Sequence, residues 1–283
     1  MFTDAEKAEL LNTTFTKNRT NDNGHLPNVE CDNCSNTICS IAWDPSVIYT
    51  KLIALKIGSS SGPDNIPTIF FKNLASVLAY PITAMFDRIF QSGMIPNVWK
   101  LANVTPIFKK GPSGNPENYR PISLTNIMRK VFESNIKDQL MIFLNANRIV
   151  TMAQHGFQAA HSTLSNLLES LNDWTNNLDA GKDTDIAYID FAKAFDSVSV
   201  PKLIHKLSHI GICNPLLSCI KSFLTDRSQR VLVGRSVSSY APVISGVPQG
   251  SVLGPVLFIL YVNEISNISS DTVRCVHRCH RHV

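Results

Sequence analysis

No apolar run in this sequence is long enough to cross a bilayer, and no basic–apolar–small-residue pattern opens it. The expectation is therefore a cytoplasmic or nuclear protein with no membrane partner. Charge is scarce: Asp, Glu, Lys and Arg make up 17% of the residues, where an ordinary soluble domain carries about a quarter. The balance is +4, too mild to argue for a nucleic-acid partner unless the cations gather in one groove. No internal repeat is visible. Cysteine is sparse and unevenly placed, with Cys31, Cys34 and Cys39 near one end and Cys275 and Cys279 near the other. The Cys-x-x-Cys and Cys-x-x-x-Cys-x-x-His halves have zinc-ligand spacing, but neither is framed by a compact finger-like unit. Free thiols in a reducing compartment are the stronger reading.

What is present is enough apolar residue, 44% of 283, for one large domain or two modest ones. Ala5, Ala8, Leu11 and Phe15 predict a helix over 1–16, and 18–40 reads as a loose connector. Helices are expected at 45–57, 66–78 and 82–91, the last two split by Pro81. A strand is expected at 98–108, followed by a turn-rich loop after Lys109, Lys110 and Gly111 that returns to Tyr119, Arg120, Pro121 and Ile122. This would set cations on a hairpin tip, although a solvated lysine-decorated loop has the same look. Helices follow at 125–144 and after the N-cap-like Ser162. Helices at 201–210 and 215–224 precede strands at 229–233 and 241–244 and an apolar helix at 252–265. Mixed helices and strands favour an α/β or α+β fold.

The chain is organised around Asp183–Phe195. Ile186, Ala187, Tyr188 and Ile189 form an apolar run of strand length, expected to be at least partly buried, that stops at Asp190. A carboxylate at a strand end either caps the strand or faces a cleft and holds a metal.

Six ordered blocks settle what the sequence resembles: S-S-G-P-D-N-I-P (60–67), W-K-L-A-N-V-T-P-I-F-K-K-G (99–111), N-Y-R-P-I-S-L-T (118–125), Q-H-G-F (154–157), Y-I-D-F-A-K-A-F-D (188–196) and S-G-V-P-Q-G-S-V-L-G-P-V-L-F (245–258). Together they are similar to the reverse transcriptases of non-LTR, jockey-like LINE retrotransposons. The resemblance implies an α+β right-hand polymerase, with fingers and a partial palm whose antiparallel sheet packs on helices, and no thumb. It implies a polar connector over 1–45, a fingers-like region over 46–180, a partial palm over 181–270 and an aberrant tail over 271–283.

The resemblance also implies roles. Asp190, with the backbone carbonyl of Phe191, would hold Mg²⁺ (Mn²⁺ as the alternative), which prefers hard oxygen ligands. Phe195 would stack under the incoming sugar and exclude a 2′-hydroxyl. Lys109 and Arg120 would grip the triphosphate of a dNTP, with Lys110 as helper. Gln249 would sit beneath the nucleotide, and Gly246 and Gly250 would allow close backbone approach. The partners implied are an RNA template, a DNA primer and dNTPs; oligomeric state is left open.

Two departures qualify this. After His-Gly-Phe the family has an arginine and a basic turn, but here the residues are Gln158, Ala159, Ala160 and His161. Where the family has Phe-Ala-Asp-Asp, this sequence reads Val276-His277-Arg278-Cys279, with no Asp or Glu between Thr272 and Val283. The expectation is a copy truncated before the Asp-Asp hairpin, with polymerase activity absent or very low. The alternatives are a nucleic-acid-binding protein that kept the fold without the chemistry, or an unexpressed remnant of a mobile element.

Overall fold

The computed structural model describes residues 2–17, 19–27, 36–151, 153–156 and 161–267. Its frame is a five-stranded sheet carried by a helical core. Strand β1 (Leu101–Phe108) turns back into β2 (Tyr119–Leu124), antiparallel, with Ile107 opposite Arg120. The turn is fixed by its own polar groups: Lys109 N donates to Asn118 O at 2.8 Å, Asn118 Nδ2 to Pro112 O at 2.8 Å and the Tyr119 hydroxyl to Ser113 O at 2.8 Å.

On the other side of β1 lies β3 (Arg227–Val233), and here the expectation of an antiparallel sheet is corrected. β1 and β3 run parallel, Leu101 opposite Ser228 and Val104 opposite Val231. Parallel neighbours need a long crossover, which the helices between them supply. β4 (Ser236–Val237) and β5 (Ala241–Val243) both pair antiparallel with β3. The fold class is mixed α+β, as expected.

The helices obey local signals with one exception. α1 (Asp4–Lys17) lays Leu11 and Phe15 on Val104 and Val231 of the sheet. α2 (Pro45–Ile53) is capped by Asp44, which accepts from Ser46 N, with proline at the first helical position. α3 (Thr68–Asn73) and α4 (Ala75–Ser92) part at Leu74, and Pro81 lies inside α4 rather than splitting it. Interior proline costs about 3 kcal/mol. Here the cost is offset because Ala75, Ala79, Ile82, Phe86 and Phe90 bury one face on both sides of the proline. α5 (Ile127–Ala146) runs through the centre and buries Phe132, Ile136, Leu140 and Leu144; the Trp43 ring stacks on Phe132 at 5.1 Å. α6 (Thr163–Asp179) starts from a reciprocal Ser162–Ser165 capping box but buries none of its residues. α7 (Val200–His209), α8 (Leu216–Leu224) and the apolar α9 (Gly254–Val262) complete the main core.

The predicted strand before Asp190 is not there. Residues 182–191 are irregular and exposed, Tyr188 at 85% and Ile189 at 81%. An apolar run becomes a strand only when a second strand takes up its amides and carbonyls, and among the described residues none pairs with it.

The stretch expected to be a loose connector is anchored at both of its described ends: Arg19 and Thr20 bond Ser245, Ile38 bridges to Ile212, and Cys39 is bonded to Cys213 as a disulfide. The free-thiol expectation therefore fails at these two cysteines and holds at the buried Cys219. Cys31, Cys34, Cys275 and Cys279 lie outside the described residues. Among the described residues no helix is long and apolar enough to cross a membrane.

Candidate functional site

The site grows from the β1–β2 hairpin. Lys109 follows the last residue of β1 and Arg120 is the second of β2; with Ile107 opposite Arg120, the two cations lie on the same face of the hairpin, within electrostatic reach of each other. Partial burial, and then the neighbouring Arg120 and Lys193 charges, push the Lys109 ammonium below the usual lysine range; Asp196 and Glu117 pull it back up. A site that crowds cations in this way is one an anion would relieve. Lys193 reaches the hairpin as well, 2.8 Å from Glu117.

The turn 245–251 docks against β2. Ser123 N donates to Gln249 O at 2.8 Å, which seats Gln249 on the strand that carries Arg120. Two glycines make the approach possible. Gly250 has φ +99° and a Cβ there would stand 2.8 Å from Ser123 O; Gly246 has φ +83° and a Cβ would stand 2.7 Å from Phe195 O. Gly246 N donates to Val198 O at 2.7 Å and Val247 N to Phe195 O at 2.9 Å, stitching the turn to the segment after Asp190. Ser245 Oγ donates to Asp196 O, and Ser251 Oγ accepts from Gly254 N at the start of α9, so both serines serve the turn.

Asp196 is the hub that motif reading passed over. Its side chain is buried (5% exposed) and faces Arg19 Nη1 at 3.0 Å, while its other oxygen accepts from Gln249 Nε2 at 3.3 Å. Burial raises the Asp196 carboxyl above the usual carboxylate range, against the pull of Arg19, Arg227 and Lys109. Arg227 lies fully inside and donates to Ser245 O and Gly246 O at 3.1 and 2.5 Å; burial is the main cause that pushes its guanidinium down to about 9. A second buried pair fixes the far end of the turn. Glu133 of α5 accepts from Val252 N and Leu253 N at 2.7 and 3.1 Å and from Arg129 Nε at 2.7 Å. The i, i+4 spacing of Arg129 and Glu133 on a face that is otherwise apolar was the readable signal for it.

The sequence-derived candidates divide into two groups. Lys109, Arg120, Gln249 and Gly250 lie on or against the hairpin: Lys109 is within electrostatic reach of Arg120 and Asp196, Gln249 bonds Asp196 and Ser123, and Gly250 abuts Ser123. Phe195 is half-buried with its ring stacked on Phe258 of α9, centroids 4.4 Å apart and planes 15° off parallel. Asp190 is exposed and no hydrogen bond or ion pair engages its carboxylate among the described residues. Phe191 lines an open cavity of about 460 Å³ with Phe258, Tyr261 and Val262. Among the described residues no group of three or more His, Cys, Asp or Glu gathers to hold a metal ion. Asp196 is spent on Arg19 and Gln249, so these residues by themselves do not fit a magnesium pair. Residues 157–160 and 268–283, where both departures from the motif pattern fall, lie outside the described residues, apart from His161.

Residues 107–279 match the family described as reverse transcriptase (RNA-dependent DNA polymerase). A probable RNA-directed DNA polymerase from transposon BS of Drosophila melanogaster is 32% identical over 219 residues, 77% of this chain and 24% of that protein. A probable RNA-directed DNA polymerase from transposon X-element of the same organism is 30% identical over 224 residues, 79% of this chain and 25% of that one. The RNA-directed DNA polymerase from mobile element jockey, also of Drosophila melanogaster, is 30% identical over 185 residues, 65% of this chain and 20% of its own. The chain spans about a quarter or less of the length of these relatives.

Proposed function

The chain belongs to the reverse transcriptase family, and from that premise we propose that it supplies the nucleotide-gripping part of an RNA-directed DNA polymerase of the non-LTR retrotransposon type. The observation that carries this reading is the meeting of the Lys109–Arg120 hairpin with the Gln249–Gly250 turn on one strand, β2. Arg120 offers a planar fork to phosphate oxygens and Lys109 a mobile point charge. Gln249, seated by its backbone on Ser123, supplies a carboxamide and a flat turn against which a base can lie. The described residues can therefore bind and orient a dNTP on a primer–template; Asp190 and the Phe191 carbonyl are the oxygens this reading reserves for the divalent metal the family uses. With no Asp or Glu between Thr272 and Val283, nucleotide addition by this stretch alone is expected to be absent.

The test is titration of the protein with a fluorescent dATP analogue. Arg120→Ala and Lys109→Ala should each weaken binding about tenfold, the loss expected when a charge-assisted hydrogen bond goes. Wild-type protein that binds no nucleotide, or variants that bind as well as wild type, would overturn the reading.

A second reading, a nucleic-acid binder without the chemistry, is favoured by the solvent-exposed Asp190 and the absence of a metal-ligand cluster among the described residues. It expects salt-sensitive binding of primer–template duplex that Asp190→Asn leaves unchanged, and no incorporation of nucleotide by either protein.

A further inference from the structure

Arg19 lies far outside the stretch that matches the family, 107–279, yet it reaches the centre of the site. Its Nη1 stands 3.0 Å from Asp196 Oδ1 and 3.0 Å from Ser245 O, and its Nη2 donates to Gln229 Oε1 at 3.3 Å. The residues after it continue the seam: Thr20 N donates to Ser245 Oγ at 3.0 Å, Thr20 Oγ1 to Ser197 O at 3.1 Å, and Ser199 Oγ to Asp22. The segment that follows α1 is thus laid along both halves of the site, the loop after Asp190 and the turn that carries Gln249. From Arg19 the contact chain is short: guanidinium to Asp196 carboxylate, carboxylate to Gln249 Nε2.

We infer that Arg19 and Asp196 are positioning residues for the nucleotide site, holding the Gln249 side chain and its turn in the conformation that receives the incoming nucleotide. The inference rests on the reading above. Asp196 takes up one N–H of the Gln249 carboxamide, so the amide cannot rotate freely in the cleft. Arg19 keeps that acceptor in place while also bonding Ser245 O, the first carbonyl of the turn. An unpaired carboxylate at this depth would be costly, and Arg227, turned toward Ser245 O and Gly246 O, is engaged with the backbone below it. The N-terminal segment is then a working part of the site.

The test uses the full chain with two readouts: affinity for a fluorescent dATP analogue, and hydrogen exchange of the Gly246 and Val247 amides in the free protein. Arg19→Leu should weaken the nucleotide about tenfold and speed exchange at the two turn amides about as much, the equivalent of one charge-assisted hydrogen bond. Exchange at the Thr105 and Ile107 amides of the hairpin should stay unchanged, and Arg19→Lys should recover part of both effects. The double variant Arg19→Met, Asp196→Leu removes the buried pair as a unit, an exchange that proteins often tolerate in stability, and separates folding from positioning. It should melt near wild type and still bind nucleotide poorly. Wild-type affinity in the double variant, or in Arg19→Leu with the turn undisturbed, would overturn the inference alone. Wild-type protein without nucleotide affinity would overturn the reading beneath it, and the inference with it.

Discussion

Two regions of this molecule sit one after the other in the chain and could hardly differ more. Phe195, Asp196 and Val198 are each tied to the turn at 245–247 through backbone or side-chain bonds, around a buried carboxylate with cations on two sides. From Thr163 to Phe191 the chain includes an amphipathic helix and an apolar run, yet no residue is fully buried among the described ones. Leu164, Leu167, Leu168 and Leu171 of α6 are exposed, as are Ile186, Tyr188 and Ile189 after it. Among the described residues, α6 is tied by polar contacts, His155 with Ser165 at 3.2 Å and with Glu169 at 3.3 Å. The contrast teaches that apolar patterning gives an element a face but no place. The well-placed region is instead the polar one, where the buried Asp196, Ser245 and Arg227 side chains each have named counterparts.

The sharpest way to break the contrast is to strip a counterpart. Glu133→Ala leaves Arg129 without its carboxylate and two amides at the start of α9 without an acceptor, and should cost about 3–5 kcal/mol in denaturant unfolding. A loss below about 1 kcal/mol would mean that water replaces the pair and that the buried polar side is not what holds the turn. Gly250→Ala puts a Cβ 2.8 Å from Ser123 O at a left-handed φ and should cost about 1–3 kcal/mol. It should also weaken nucleotide binding, because β2 and the turn would be pushed apart. On the exposed side, Leu167→Lys and Leu171→Glu should each move stability by no more than about 0.5 kcal/mol. A larger destabilisation in thermal unfolding would show that α6 is packed in solution. The smallest effect is expected at Ile189→Lys, with no shift in melting temperature, since its side chain has no buried face to lose.

Much of the frame was legible because its signals are local. Ser162 announced α6, apolar spacing from Pro45 announced α2, and the Lys-Lys-Gly loop with its flanking β-formers announced the hairpin. The Pro-Gln-Gly turn was legible for the same reason, since glycine tolerates what its neighbours demand. Arg19, Asp196 and Glu133 were not, because each is defined by a residue far along the chain, and an isolated arginine in a polar stretch looks like any solvated one. The parallel pairing of β1 with β3 escaped for the same cause. Asp190 shows the opposite failure. The run before it has strand composition, and composition cannot supply the second strand.

That parallel pairing sets an order of events during synthesis. The β1–β2 hairpin can close as soon as Leu124 has emerged, but Leu101 must wait for Ser228, with four helices made in between. Through that interval one side of β1 presents unsatisfied amides, the condition under which nascent chains stick to one another. Helix α1, made before any strand, waits longest, because Phe15 rests partly on Val231. A newborn copy of this protein is therefore most vulnerable midway through its own translation.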